Sequence, residues 1–116
     1  MSTPTRADFA DALNGAGLDL AASEFPSEPF GPGSAWAQPG AWTNPGGLPN
    51  GVFECTWEIY IVVPQDSRAA SVWWDTHAAA AAGAVMHLVF IDSIEPISLP
   101  TDGGDLWAVL ITGRSE

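Results

Sequence analysis

The residue types that do chemistry are few in this chain, and their spacing does not gather them. Two histidines occur, His77 and His87. A metal centre would need further His, Cys or carboxylate ligands at suitable spacing, and the candidates are scattered. His77 follows Trp73 by one helical turn, which points to ring stacking or exposure. Cys55 is the single cysteine. It falls on the dry face of a strand pattern, where a thiol acts as a small hydrophobe, and it lacks the base or cationic setting that a nucleophile needs. A lone cysteine also excludes an internal disulfide and any Cys-rich zinc site. Asp102 and Asp105 flank Gly103 and Gly104. Two carboxylates without EF-hand spacing are too few for calcium, and a hairpin turn accounts for them. Glu54 and Glu58 share a strand face about 13 Å apart by strand rise, beyond the roughly 5–9.5 Å of a glycosidase pair. The glycines travel with prolines rather than opening a helix, so no phosphate-binding loop is expected. No Ser-His-Asp or Cys-His set can be built. The reading is therefore a non-enzyme, with no catalytic, metal or cofactor-binding residue and no cofactor.

The elements around these residues have clear local signals. Thr5 with Asp8 three residues later forms an acidic variant of the capping box, and Phe9 and Leu13 give the following helix one apolar face, with Ala10, Ala12 and Ala16 filling around them. Asn14, Gly15 and Gly17 stop it, and residues 18–22 form a short strand. Residues 52–63 alternate strictly. Phe53, Cys55, Trp57, Ile59, Ile61 and Val63 fall on one face, and Glu54, Thr56, Glu58, Tyr60 and Val62 on the other. This is a long strand with one dry face, ended by Pro64. Asp66 or Ser67 caps a second, Ala-rich helix reaching about Met86, on which Val72, Trp73, Thr76, Ala80, Gly83 and Ala84 share a broad face. Residues 88–97 form a strand with an irregularity near Ser93. Residues 99–105 carry turn chemistry and 106–112 the last strand, so the final pair is an antiparallel hairpin.

Residues 25–51 differ in kind, since prolines alternate with glycines through them. A structureless loop of this length is uncommon in a compact domain, and Trp36 and Trp42 have large apolar surfaces that need burial. Residues 34–38 read as a short extended piece within it. The indoles cover either the domain's own core or a neighbouring subunit, which makes Phe30, Trp36 and Trp42 candidates for a subunit interface. Together these segments predict one α+β domain over residues 1–116. Its sheet is mainly antiparallel and flanked by two helices, in the order α-β-β-β-α-β-β, with a long Pro/Gly-rich arm.

Composition narrows the partners. The 116 residues include 14 acids against three basic side chains, for a formal charge of −11. The three are Arg6, Arg68 and Arg114, and lysine is absent. This balance argues against clamping nucleic-acid phosphates or an anionic membrane surface. No apolar run reaches a spanning length. The first residues carry acids and no apolar core of a secretory leader, so a cytosolic origin is expected. Charged residues are only 15% of the chain, sparse against the usual value near 25%, which suits a subunit with covered surfaces.

In the order and spacing of its segments the chain resembles the tail terminator proteins of long, non-contractile-tailed phages, particularly those infecting actinobacteria. The resemblance rests on the N-terminal helix, the Pro-rich stretch at 25–51 with its aromatic strand, and the long strand at 53–63. It continues in the Asp-Ser-Arg-Ala-Ala helix start at 66–70, the Ala-rich helix, the Asp-Ser-Ile-Glu-Pro-Ile-Ser strand at 92–98, and the last strand ending near Thr112. It implies a virion protein assembled in the host cytoplasm. Six copies would form a homohexameric ring on the head-proximal end of the tail tube. That ring would end tube polymerisation and meet the head connector, with the major tail tube protein and a connector or stopper protein as partners. DNA would pass through its pore without specific binding, and Glu54 and Glu58 are the lumen-facing candidates. The alternatives are a head-completion or stopper ring, or a small cytosolic ligand-binding domain or enzyme with Trp57, Trp73 and Trp107 around a pocket.

Overall fold

The computed structural model describes residues 4–26, 30–43 and 53–115. Val52 and the parts of the arm at 27–29 and 44–51 lie outside the described residues. The chain runs α1 (Arg6–Asn14), β1 (Ala21–Ala22), β2 (Ser34–Thr43), β3 (Glu54–Val62), α2 (Ser67–Val85), β4 (Phe90–Thr101) and β5 (Gly104–Ser115). This is the α+β order expected from the sequence. The five strands form one sheet in the order β1-β2-β3-β5-β4. Only the β1–β2 pair is parallel, and the other three pairs are antiparallel.

α1 starts on its capping box. The Thr5 hydroxyl accepts from the Asp8 N–H at 3.3 Å and the Asp8 carboxylate accepts from the Thr5 N–H at 2.8 Å, satisfying two otherwise orphaned donors. Phe9 and Leu13 then face the sheet and are fully buried. The facing strands supply the rest of the core. β3 gives Cys55, Trp57, Ile59 and Ile61, β2 gives Ala35 and Ala37, β5 gives Val109 and Ile111, and α2 gives Ala81, Ala82 and Val85. Small residues on β2 and α2 leave room for two large rings. Phe9 and Trp57 sit with centroids 4.6 Å apart, and the Trp57 indole N–H donates to Ser115 Oγ at 3.0 Å, so its polar tip is not stranded.

Several features differ from the pattern read in the sequence. β4, expected over residues 88–97 with a turn at 99–105, runs from Phe90 to Thr101 and pairs with β5 as far as Thr101 opposite Gly104. β2 is twice the expected length, running from Ser34 to Thr43 with a register irregularity between Pro39 and Trp42. The middle of the 25–51 stretch is therefore an integral strand of the sheet, and deleting it would break the sheet rather than release an arm. β5 likewise extends beyond 106–112 to Gly104–Ser115. In α2 the buried residues are Ala78, Ala81, Ala82 and Val85, whereas Val72 is 54% exposed and Thr76, Ala80 and Gly83 face solvent. Of the broad face named above, Trp73 alone is packed against the core cluster. The helix is apolar on nearly every side, so periodicity does not select its buried face.

The irregularity near Ser93 is present as a register shift between Ile91 and Ser93. Gly113 sits beside it, where a Cβ would lie 2.9 Å from the Phe90 carbonyl oxygen and from a Val89 methyl. At the hairpin tip Gly104 has a φ of 113°, a conformation glycine accepts readily.

Trp57 fills the space between α1 and the sheet, so Trp57→Ala is expected to cost about 3–5 kcal/mol. Thermal unfolding followed by circular dichroism checks this, and an unchanged melting temperature would contradict the assignment of Trp57 as the wedge of the core.

Candidate functional site

The sheet has two faces, and the helices cover one. On the other, Phe30, Trp36 and Tyr60 stack in series, with centroids 5.1 Å and 5.4 Å apart. Trp36 is only 5% exposed, so this indole is covered within its own chain. Trp42 behaves differently. Beyond the irregularity in β2 it pairs with Cys55, and its ring lies 6.2 Å from Phe53, with the two side chains 63% and 45% exposed. Of the three aromatic candidates, Trp42 is the one that presents its ring to solvent.

Glu54 and Glu58 lie on the sheet face opposite the helices, both half-buried, and each is engaged. Glu58 accepts the Tyr60 hydroxyl at 2.6 Å. Glu54 lies 3.8 Å from Arg114 Nη1, and Arg114 Nε donates to Asp92 at 2.9 Å. Asp92, at the register shift of β4, is thereby held across the sheet, and the guanidinium pKa is pushed further up by that carboxylate. Burial, followed by the Glu58 hydrogen bond and charge, pushes the Tyr60 phenol up to about 12.

The residues examined for catalysis stay apart. Cys55 is buried. Desolvation raises its thiol pKa, with a hydrogen bond to Trp42 opposing, so the nucleophilic thiolate is disfavoured. His77 stacks on Trp73 at 5.6 Å, with Nδ1 2.6 Å from Thr76 Oγ1. His87 is exposed in the turn after α2. Among the described residues no three of His, Cys, Asp and Glu gather as metal ligands, and no helix is long and apolar enough to cross a membrane. Trp57, Trp73 and Trp107 do not surround a common pocket. Trp57 is in the core and Trp73 stacks on His77, while Trp107 lines a cleft elsewhere.

That cleft is the feature the sequence reading missed. It occupies about 580 Å³ between the first turns of α2 and the β4–β5 hairpin, with Val63, Trp74, Pro96, Trp107 and Val109 in its walls and Asp75 and Ser98 among its polar residues. Trp107 is 41% exposed. Its backbone is held by Gln65, whose Oε1 accepts from the Trp107 N–H at 2.8 Å and whose Nε2 donates to the Trp107 carbonyl at 2.9 Å. A signal was available. Trp107 alternates with Val109 and Ile111, which places it on the helix-bearing face, at the end of the sheet where α2 has only just begun.

The edges of the sheet limit how it can be used. In an antiparallel ladder alternate residues of β4 turn their N–H and C=O groups towards β5. Thr101 opposite Gly104 is one of these, so residues 94, 96, 98 and 100 turn theirs outward. Pro96 and Pro100 thus remove two of the four donors on that edge. On β2, the Ala35 carbonyl accepts from the Ser23 N–H outside the sheet. By the same alternation Ala37 and Pro39 face outward, where Arg6 Nη1 donates to the Ala37 carbonyl at 3.5 Å and proline offers no donor. Both edges are blunted against strand addition, which leaves the faces and ends of the molecule for partners.

Compared with models of known protein families, with curated proteins and with solved structures, the chain matches none.

Tyr60 is the only tyrosine, so its phenolate absorbance reports one site. Its folded pKa of about 12 lies above the ordinary value near 10, so unfolded chains lose this proton first as pH rises. The stability it contributes is complete below about pH 10 and is lost between about 10 and 12. The native titration should have its midpoint near 12 and move to about 10 in denaturant. A native midpoint near 10 would mean that Glu58 and burial do not hold the phenol.

Proposed function

We propose that this chain is a structural subunit of a ring at the head-proximal end of a phage tail tube, a protein of the tail-terminator type. The observation that carries the reading is the order of the elements. The capped α1, the aromatic β2 inside the Pro-rich stretch, the long β3, the Asp66-capped Ala-rich α2 and the closing β4–β5 hairpin succeed one another as that resemblance implies. Blunted edges and exposed aromatics at Trp42, Phe53, Phe90 and Trp107 favour a subunit that meets neighbours through side-chain surfaces. The acidity fits a pore. With few cations to bind phosphates, a wall carrying Glu54 and Glu58 would repel DNA within a Debye length of about 8 Å and let it slide. On this reading the ring is a homohexamer between the tail tube protein and the head connector, and no reaction is catalysed.

Native mass spectrometry of the full chain, alone and after incubation with tail tubes, tests the reading. Six copies in solution or retained at tube ends are expected. A strict monomer that ignores tubes would overturn it.

A further inference from the structure

The ring reading uses only the exposure of Trp107 and not the cleft it forms with Trp74, and the chemistry of that cleft points to an occupant. The walls are apolar, yet Asp75 lines them as the single charged group. Asp105 lies two residues before Trp107 on β5, on the same sheet face by alternation. Among the described residues no ion pair reaches Asp75 or Asp105. An occupant that was purely apolar would strip water from Asp75 without replacing it, and an unpaired carboxylate is costly to desolvate. A cation set against the carboxylate and over an indole face avoids that cost and gains a cation–π contact.

We propose that the cleft is a docking site for a segment of another protein that carries an arginine or lysine beside a large apolar side chain. The apolar group fills the space between Trp74 and Trp107, and the cation meets Asp75. Charge complementarity selects a different protein over a second copy. A copy also bears −11 with no lysine. Its Arg6 is held by the Glu24 and Ala37 carbonyls and lies over Phe25, and its Arg114 is held by Asp92 and Glu54. Its Arg68 is exposed at the start of α2, next to Ser67 of the copy's own cleft, so among the described residues a copy offers a single free cation, against 14 acids in the chain. A basic partner, in contrast, is steered towards the acidic surface before it docks.

The test is selection of a displayed random dodecapeptide library against the full-length protein, with the recovered peptides titrated against variants by calorimetry. The expected result is enrichment of peptides pairing Arg or Lys with aromatic or long aliphatic residues. Trp107→Ala should weaken their binding about tenfold or more, and Asp75→Asn about threefold to fivefold at low salt, less at high salt. Trp107→Ala removes a core-edge side chain, so Ser98→Arg, on an exposed position of β4, serves as the second variant. It places a cation in the cleft and should abolish binding while leaving the melting curve unchanged. Enriched peptides without cations, no enrichment, or equal binding by all variants would overturn the proposal. So would wild-type self-association that Ser98→Arg abolishes, which would assign the cleft to a second copy. The ring reading is judged separately by the tube experiment, so either can fail alone.

Discussion

β3 is hydrogen-bonded on both flanks and dry on one face, and the remaining elements are placed by reference to it. Its strict period of two sends Cys55, Trp57, Ile59 and Ile61 to the helix side and Glu54, Thr56, Glu58 and Tyr60 to the other. A one-residue slip would exchange these sets and bury two carboxylates, so the register against β2 and β5 is strongly fixed. Once it is fixed, Trp57 projects where α1 must lay Phe9, and the small residues Ala35 and Ala37 of β2 and Ala81 and Ala82 of α2 become necessary for the two rings to fit. The identity of the core follows from one strand's alternation and one indole's volume.

The same alternation divides the molecule into surfaces with different uses. The sheet face opposite the helices carries an aromatic stack at one side and a polar network at the other. There Tyr60 answers Glu58, and Arg114 ties β5 to β3 and to the register shift of β4. Contacts away from that face are apolar and incomplete. Trp42 and Phe53 stand at the end where β3 begins, and Trp107 at the end where it finishes. Because prolines blunt both sheet edges, association through main-chain ladders is disfavoured, and recognition falls to these side chains. Such contacts are selective because shape and charge must both match.

Legibility from sequence divides along physical lines. Where a rule is local and exclusive, the reading holds. Thr5 and Asp8 mark the start of α1, alternation marks β3, Asp66 caps α2, and the irregularity near Ser93 appears as a shift in register. Where several arrangements satisfy the same rule, the sequence is silent. The Ala-rich α2 is apolar all round, so its buried side was misread. Pro39 within 25–51 suggests that the extended piece should stop early, but an edge strand tolerates proline where its missing donor faces outward, and β2 runs on to Thr43. The cleft depends on how far α2 stands from the β4–β5 hairpin, a tertiary distance with no local signature. Of its two indoles the sequence reading singles out Trp107, grouped with Trp57 and Trp73, and not Trp74, which faces the cleft.

Two of the three arginines fasten this acidic chain internally, and the third, Arg68, is exposed at the start of α2. Exposed ion pairs contribute little to stability, yet Arg6 and Arg114 are placed where backbone geometry is least regular. Arg6 bridges the segment after β1 to the edge of β2, and Arg114 fastens Asp92 at the register shift while lying 5.1 Å from the centre of the Phe90 ring. Each is thereby withdrawn from intermolecular use, which leaves a surface dominated by carboxylates. Like-signed copies repel at long range and approach closely only where apolar contact outweighs that repulsion, whereas a cationic partner is attracted from a distance and DNA phosphates are held off. Fastening two of its three cations internally therefore leaves Arg68 as the one arginine without an ion pair or side-chain hydrogen bond among the described residues, and the surface charge predominantly negative.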